Sequence, residues 1–185
     1  MNFDNLKETC ISSKEIFDGV VAHLYFDEVL LPNGERSTRE YLKHNGAVAV
    51  LPMDEDFNVY LVKQFRYPFG KVMTEIPAGK LDYADEDHFE AAMRELREET
   101  GLTSSKVTYL GEFIGSPAII GETIYLYLAQ ELSLGEQELD ADEFLNVEKV
   151  PFDKLIQMIM DGEITDGKTV CAAFKVDRLK NEKKD

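Results

Sequence analysis

GKLDYADEDHFEAAMRELREETGL, Gly79 to Leu102, is the stretch on which the reading of this chain turns. Its core is Arg94-Glu95-Leu96-Arg97-Glu98-Glu99-Thr100-Gly101-Leu102. Helical spacing puts Glu95 and Glu99 on one face, with Glu98 beside them. Carboxylates crowded in this way repel one another. A solvated helix rich in Glu and Arg offsets that repulsion with i,i+4 ion pairs, here Arg94 with Glu98. The other explanation is that the carboxylates are there to hold a cation.

The surroundings favour the cation. Phe89, Ala92, Met93 and Leu96 recur at helical spacing, so one side of the helix is expected to face a core. Gly101 fits a helix stop. Upstream, Glu75-Ile76-Pro77-Ala78-Gly79 reads as a tight loop leading toward the helix. A loop carbonyl together with several helix carboxylates makes a hard-oxygen site, which suits Mg²⁺ or Mn²⁺ rather than zinc.

Arg-Glu-Leu-x-Glu-Glu-x-Gly-Leu at 94–102, preceded by Gly79 and Glu86, resembles the Nudix box. That family hydrolyses nucleoside diphosphates linked to another group. Its pattern has five residues between the first Gly and the first Glu, then seven before the Arg; here Glu86 to Arg94 has seven but Gly79 to Glu86 has six. The difference reads as a one-residue insertion around Tyr83-Ala84-Asp85, and the metal-binding half, 94–102, is intact. Pro117, sixteen residues after Gly101, is similar to a marker of the ADP-ribose pyrophosphatase branch. So are Gln64-Phe65-Arg66-Tyr67-Pro68, Glu75-Ile76-Pro77-Ala78-Gly79, Arg39-Glu40, and Asp161-Gly162-Glu163-Ile164 followed by Lys168-Thr169. The likeness covers about residues 14–178.

The resemblance implies a site. Glu95, Glu98 and Glu99, with the Ala78 carbonyl, would bind the metal. Arg66 would contact the diphosphate or ribose. Arg39, on the N-terminal segment, would reach the partner subunit's site. The acidic loop at 136–143 would supply the general base or another metal ligand, best matched by Glu143 with Asp142 as its neighbour. Glu122 is a further candidate for the base. Lys80 and Phe17 complete the expected substrate contacts, Phe17 (like Tyr25 and Phe26) as an aromatic surface for adenine. The implied reaction is Mg²⁺-dependent hydrolysis of ADP-ribose, or a related ADP-sugar, to AMP and ribose 5-phosphate. Two alternatives stand beside it: hydrolysis of another nucleoside diphosphate sugar such as GDP-mannose, and a non-catalytic sensor that binds ADP-ribose. A requirement for Mg²⁺ separates the enzyme from the sensor.

Composition points the same way. A net charge of −16 over 185 residues argues against nucleic acid as a partner, since such a surface attracts no phosphate backbone without a basic patch and the only Lys-rich run, Lys180 to Lys184, reads as a solvated tail. An anionic small substrate would need a divalent cation between its phosphates and the carboxylates. No apolar run has the length of a membrane span, and the N-terminus lacks a basic-then-apolar signal pattern. Cys10 and Cys171 have no metal-like spacing and are expected to be free thiols in a reducing cytoplasm.

Periodicity then orders the chain. Residues 1–10 read as a loose or short helical lead-in. Lys14 to Val29 is β-rich, Pro32-Asn33-Gly34-Glu35 is a turn, and Arg36 to His44 returns as a strand. Residues 1–45 thus form a small antiparallel β unit, expected to make a homodimer, and residues 46–185 the main domain. There, strands are expected at Ala47–Leu51, Val59–Phe65, Val107–Ile114, Thr123–Gln130 and Val147–Val150. Helices are expected at Pro151–Met160 and from a cap at Thr165 or Asp166 through about Leu179. The class is α+β, with a mixed sheet between helices. The resemblance narrows this to a Nudix-type α/β/α sandwich.

Overall fold

The computed structural model describes residues 3–139, 141 and 143–182. In chain order its strands are β1 (Thr9–Asp18), β2 (His23–Leu30), β3 (Arg36–Lys43), β4 (Ala47–Pro52), β5 (Asn58–Arg66), β6 (Lys71–Glu75), β7 (Ala78–Lys80), β8 (Leu102–Phe113), β9 (Ile120–Gly121), β10 (Ile124–Leu134) and β11 (Leu145–Pro151). Its helices are α1 (His88–Thr100), α2 (Phe152–Met160) and α3 (Gly167–Glu182). The chain divides into two compact units, residues 1–45 with 116–122 and residues 46–115 with 123–185.

The smaller unit is one sheet in the order β1-β2-β3-β9. The lead-in is a 3₁₀ turn at Asp4–Leu6, and β1 begins at Thr9, ahead of the expected start. β9 joins β3 in parallel through Leu42↔Ile120 and Lys43↔Gly121, which is why residues 116–122 belong here rather than with the residues on either side of them. β1 is exposed along its whole length.

The larger unit is built on β4, which pairs in parallel with β10 and antiparallel with β7. β8 completes a mixed sheet, β7-β4-β10-β8. Every residue of β4 is buried, the pattern of a strand covered on both faces. Its side chains alternate between two cores. Val48 and Val50 pack with Ala91, Ala92 and Leu96 of α1. Ala49 and Leu51 pack with Phe152 and Leu155 of α2 and with Ala172, Ala173 and Val176 of α3. The sheet therefore lies between helices, as expected. A second, antiparallel sheet, β11-β5-β6, adds Val59 and Leu61 to the α2–α3 core.

α1 is capped by Asp87, whose Oδ1 accepts from the backbone N–H groups of Phe89 at 2.8 Å and Glu90 at 3.2 Å. It stops at Gly101, whose φ of +71° is left-handed. A Cβ there would stand 2.9 Å from the Gly135 carbonyl oxygen, so the position needs glycine for space as well. Phe89, expected in the core, is 41% exposed. It sits in the first turn, edge-on to Tyr127, and the buried residues of the helix include Ala91, Ala92 and Leu96. β6 and β7 were not legible as strands, because only Ile76 and Pro77 separate them and the segment reads as a loop.

Leu96 is fully buried against β4. Leu96→Ala is expected to lower unfolding stability by about 2–5 kcal/mol in a urea titration, from lost transfer energy and the cavity left behind. A loss under about 1 kcal/mol would contradict this account of the core.

Candidate active site

The helix α1 and the turn between β6 and β7 together place the carboxylates. The turn is fixed at consecutive residues to three different elements. The Ile76 N–H donates to Thr169 Oγ1 of α3 at 2.9 Å. The Pro77 carbonyl accepts from the Val50 N–H of β4 at 2.9 Å. The Ala78 N–H donates to Glu99 Oε2 of α1 at 3.0 Å. Next to it, a Cβ on Gly79 would stand 2.1 Å from the Glu95 carboxylate, so glycine here makes the space in which Glu95 lies.

Arg94 sits among the acids. Its Nη1 donates to Glu95 Oε1 at 2.7 Å and to Glu98 Oε2 at 3.2 Å, and its Nη2 reaches Glu86 Oε1 at 3.3 Å. The ion-pair reading of the helix is therefore correct for Glu98, which also lies 3.7 Å from Arg97. It does not account for Glu99, which is 2% exposed. Burial pushes Glu99 up to about 8, with the charge of Glu143 adding to it and the Ala78 N–H opposing it. Burial likewise pushes Glu95 up to about 7, against the pull of Arg94. Burial works against the charge on Arg94, but Glu95, Asp82 and Glu98 more than offset it and hold its pKa above the ordinary arginine value.

Glu143 is brought to this cluster, since its charge acts on both Glu95 and Glu99, and Gln64 Nε2 donates to its Oε1 at 3.4 Å. Asp142 lies outside the described residues. Arg66, at the end of β5, makes a bidentate pair with the buried Glu75, Nε to Oε1 at 2.8 Å and Nη2 to Oε2 at 2.7 Å. Glu75 also pairs with Lys168 Nζ. Burial alone would raise the Glu75 pKa, yet Arg66 and Lys168 hold it below the usual carboxylate value. Lys80 is exposed at the end of β7.

Three expected site residues belong to the smaller unit. Arg39 pairs with Glu8 and donates to the Thr38 carbonyl at 2.7 Å. Glu122 stands 3.4 Å from His44 Nδ1. Phe17 is 58% exposed on β1. The ring of Tyr25 is engaged by Lys43 Nζ at 3.6 Å and stacks with Tyr41. Sequence reasoning passed over Glu75 and Lys168 as functional groups. In the sequence both stand inside motifs of the pyrophosphatase branch, and only the fold shows that the two charges are buried together.

The donor set under α1 fits a hard divalent cation. It is all oxygen, Glu99 is buried with no cationic side chain in hydrogen-bond contact, Glu95 is largely buried, and the glycine beside Glu95 leaves that carboxylate room. A separate grouping, Glu15, Asp18 and His23, lies on the exposed β1–β2 hairpin of the smaller unit, with ligand-type atoms within 4.8 Å of one another.

A mixed sheet between helices, with the REL-x-EE-x-GL helix packed under a glycine-bearing turn, is the architecture of one protein class. The pattern described as NUDIX domain matches residues 43–172, and the chain belongs to the Nudix family of pyrophosphohydrolases. Among its relatives it is 43% identical over 170 residues to an ADP-ribose pyrophosphatase of Bacillus subtilis, covering 91% of each chain. It is 42% identical over 168 residues to a methanol dehydrogenase activator of Bacillus methanolicus, covering 90% of each. Its fold matches a crystal structure titled ADP compounds hydrolase with a TM-score of 0.84, at 21% identity and 96% coverage of both chains. Nudix proteins generally use divalent metal ions. No helix among the described residues is long and apolar enough to cross a membrane.

The raised carboxylates give a pH signature in metal-free protein. Folded-state values of about 7 and 8 lie above the ordinary 4.5, so the protonated forms favour folding. Their contribution is complete below about pH 4.5 and is lost as pH rises through about 8. Glu99→Gln, melted in EDTA, is therefore expected to be more heat-stable than wild type at pH 8.5 and close to it at pH 4.5. Equal melting temperatures at both pH values would contradict the burial of this charge.

Proposed function

We propose that the chain hydrolyses the diphosphate linkage of ADP-ribose, or a related ADP-sugar, to AMP and ribose 5-phosphate, with Mg²⁺ as its metal and Mn²⁺ as a substitute. The observation that carries this reading is the buried Glu99 with the largely buried Glu95 beside the Ala78 turn, in a chain that matches an ADP-ribose pyrophosphatase over nearly its whole length. Glu95, Glu98, Glu99 and the Ala78 carbonyl would hold the cation, with Glu143 as a further ligand. When bound, it neutralises the diphosphate and makes water more acidic.

The chain's own groups supply the rest. Arg66, held by Glu75 along one edge, presents its remaining N–H groups to the diphosphate and binds it. Glu143 accepts the proton of the attacking water. Glu98 is pinned by Arg94 and Arg97, which favours a ligand or an orienting role over that of base. Glu122 remains the second candidate for the base. Lys80 offers a cation at the end of β7 for the substrate's distal part.

We assign the smaller unit, residues 1–45 with 116–122, to homodimer formation. Ile11, Ile16, Phe17, Val20 and Val21 are all exposed on and beside β1, an apolar surface that a second copy would cover. In that dimer Arg39 would serve the partner's site and Phe17 would stack on adenine. The free cysteines suit a cytoplasmic setting. A second reading follows the relative named as an activator: the same site would serve an interaction with another enzyme.

The test is turnover of ADP-ribose, ADP-glucose and GDP-mannose by the pure protein, with Mg²⁺ or with EDTA. AMP and ribose 5-phosphate from ADP-ribose, absent in EDTA, is the expected result. Preference for GDP-mannose would move the substrate. Binding without hydrolysis would favour the sensor or activator. Gly79→Ala is expected to fold with a near-normal melting temperature, because the displaced group is the far end of the Glu95 side chain and not backbone, yet to lose about a hundredfold or more in kcat/KM.

A further inference from the structure

The start of α3 carries a group of side chains that the reaction as described does not use. Lys168 is 8% exposed and Thr169 fully buried. Lys168 Nζ pairs with Glu75 Oε2 and lies 3.0 Å from Asp166 Oδ1. Asp166 Oδ2 accepts from the Thr169 hydroxyl at 2.6 Å and from the Thr169 N–H at 3.0 Å, which also caps the helix. The hydroxyl, having given its one proton to Asp166, accepts from the Ile76 N–H at 2.9 Å. Ile76 follows Glu75 in the chain. The bonds thus close a ring: Glu75 side chain, Lys168, Asp166, Thr169 and back to the Ile76 backbone.

A ring of buried charges is a weak source of stability, because desolvation offsets most of the attraction. It is a strong source of geometry, because each member is satisfied only in one arrangement. This one has two outputs. Glu75 holds one edge of the Arg66 guanidinium through Nε and Nη2, so recognition of an anion falls to both N–H groups of Nη1 and the second N–H of Nη2. Thr169 fixes Ile76, two residues before the Ala78 carbonyl.

We propose that this ring is a positioning device, by which Lys168 and Thr169 set the aim of Arg66 and the placement of the Ala78 turn. The proposal rests on the hydrolase reading for its first output only. Lys168→Met leaves Glu75 paired with Arg66 alone, so the fork loses the second cation that fixes its partner. It is expected to raise KM for ADP-ribose by about tenfold with kcat changed by less than about threefold. Thr169→Val removes the hydroxyl at nearly constant shape. It is expected to weaken Mn²⁺ binding to the substrate-free protein by about fivefold or more, read by electron paramagnetic resonance, while Thr169→Ser keeps near-normal affinity.

Melting temperatures taken in parallel separate positioning from structure. Variants that melt lower while KM, kcat and Mn²⁺ affinity stay within about twofold of wild type would overturn the proposal. So would a Thr169→Ser that loses as much affinity as Thr169→Val. If Thr169→Val fails to fold, the KM-against-kcat split of Lys168→Met decides alone. A wild-type protein without hydrolytic activity would sink the hydrolase reading, and the Mn²⁺ affinities would then decide the ring.

Discussion

A buried carboxylate, Glu99, and a largely buried one, Glu95, are held close together beside one turn of chain, and the rest of the larger unit is arranged to make that possible. Glu99 is nearly inaccessible and accepts one backbone hydrogen bond, from Ala78. Glu95 occupies a space that exists only because residue 79 has no side chain. Isolated buried charge is so costly that a carboxylate in such a place either takes up a proton or finds a cation. Metal-free, these two move toward the proton; the oxygen donor set around them is suited to the cation.

The architecture serves that arrangement at several removes. β4 is buried on both faces, so it can carry α1 on one side and α2 and α3 on the other. The same strand holds the Pro77 carbonyl, while α1 and α3 hold the residues on either side. A turn bonded to a sheet and to helices on both its faces has little freedom. Precision at the site thus comes from rigid elements around a short loop, not from the loop itself.

Much of this was legible in the residues. The 3.6-residue period gave α1, Gly101 gave its end, and the spacing of Glu95, Glu98 and Glu99 gave a shared face. The β4 and β5 strands read directly from short apolar runs. What was not legible depended on distant contact. β6 and β7 are too short and too close to a proline to show a period. Residues 116–122 join the smaller unit through two residue pairs with β3, a pairing that no local pattern announces. Phe89 has a core position on the helical wheel, but in the first turn it meets Tyr127 edge-on and stays 41% exposed. Glu75 and Lys168 read as ordinary charges; their burial is a property of the assembled fold.

The central claim is that Glu95 and Glu99 are held partly protonated until a cation displaces the proton. Isothermal calorimetry of Mg²⁺ binding at pH 7, repeated in buffers of different ionisation enthalpy, counts protons exchanged on binding. The account predicts net release of about one proton per protein, reduced in Glu99→Gln. Binding with no buffer dependence would mean that the carboxylates are already ionised, and would contradict the account.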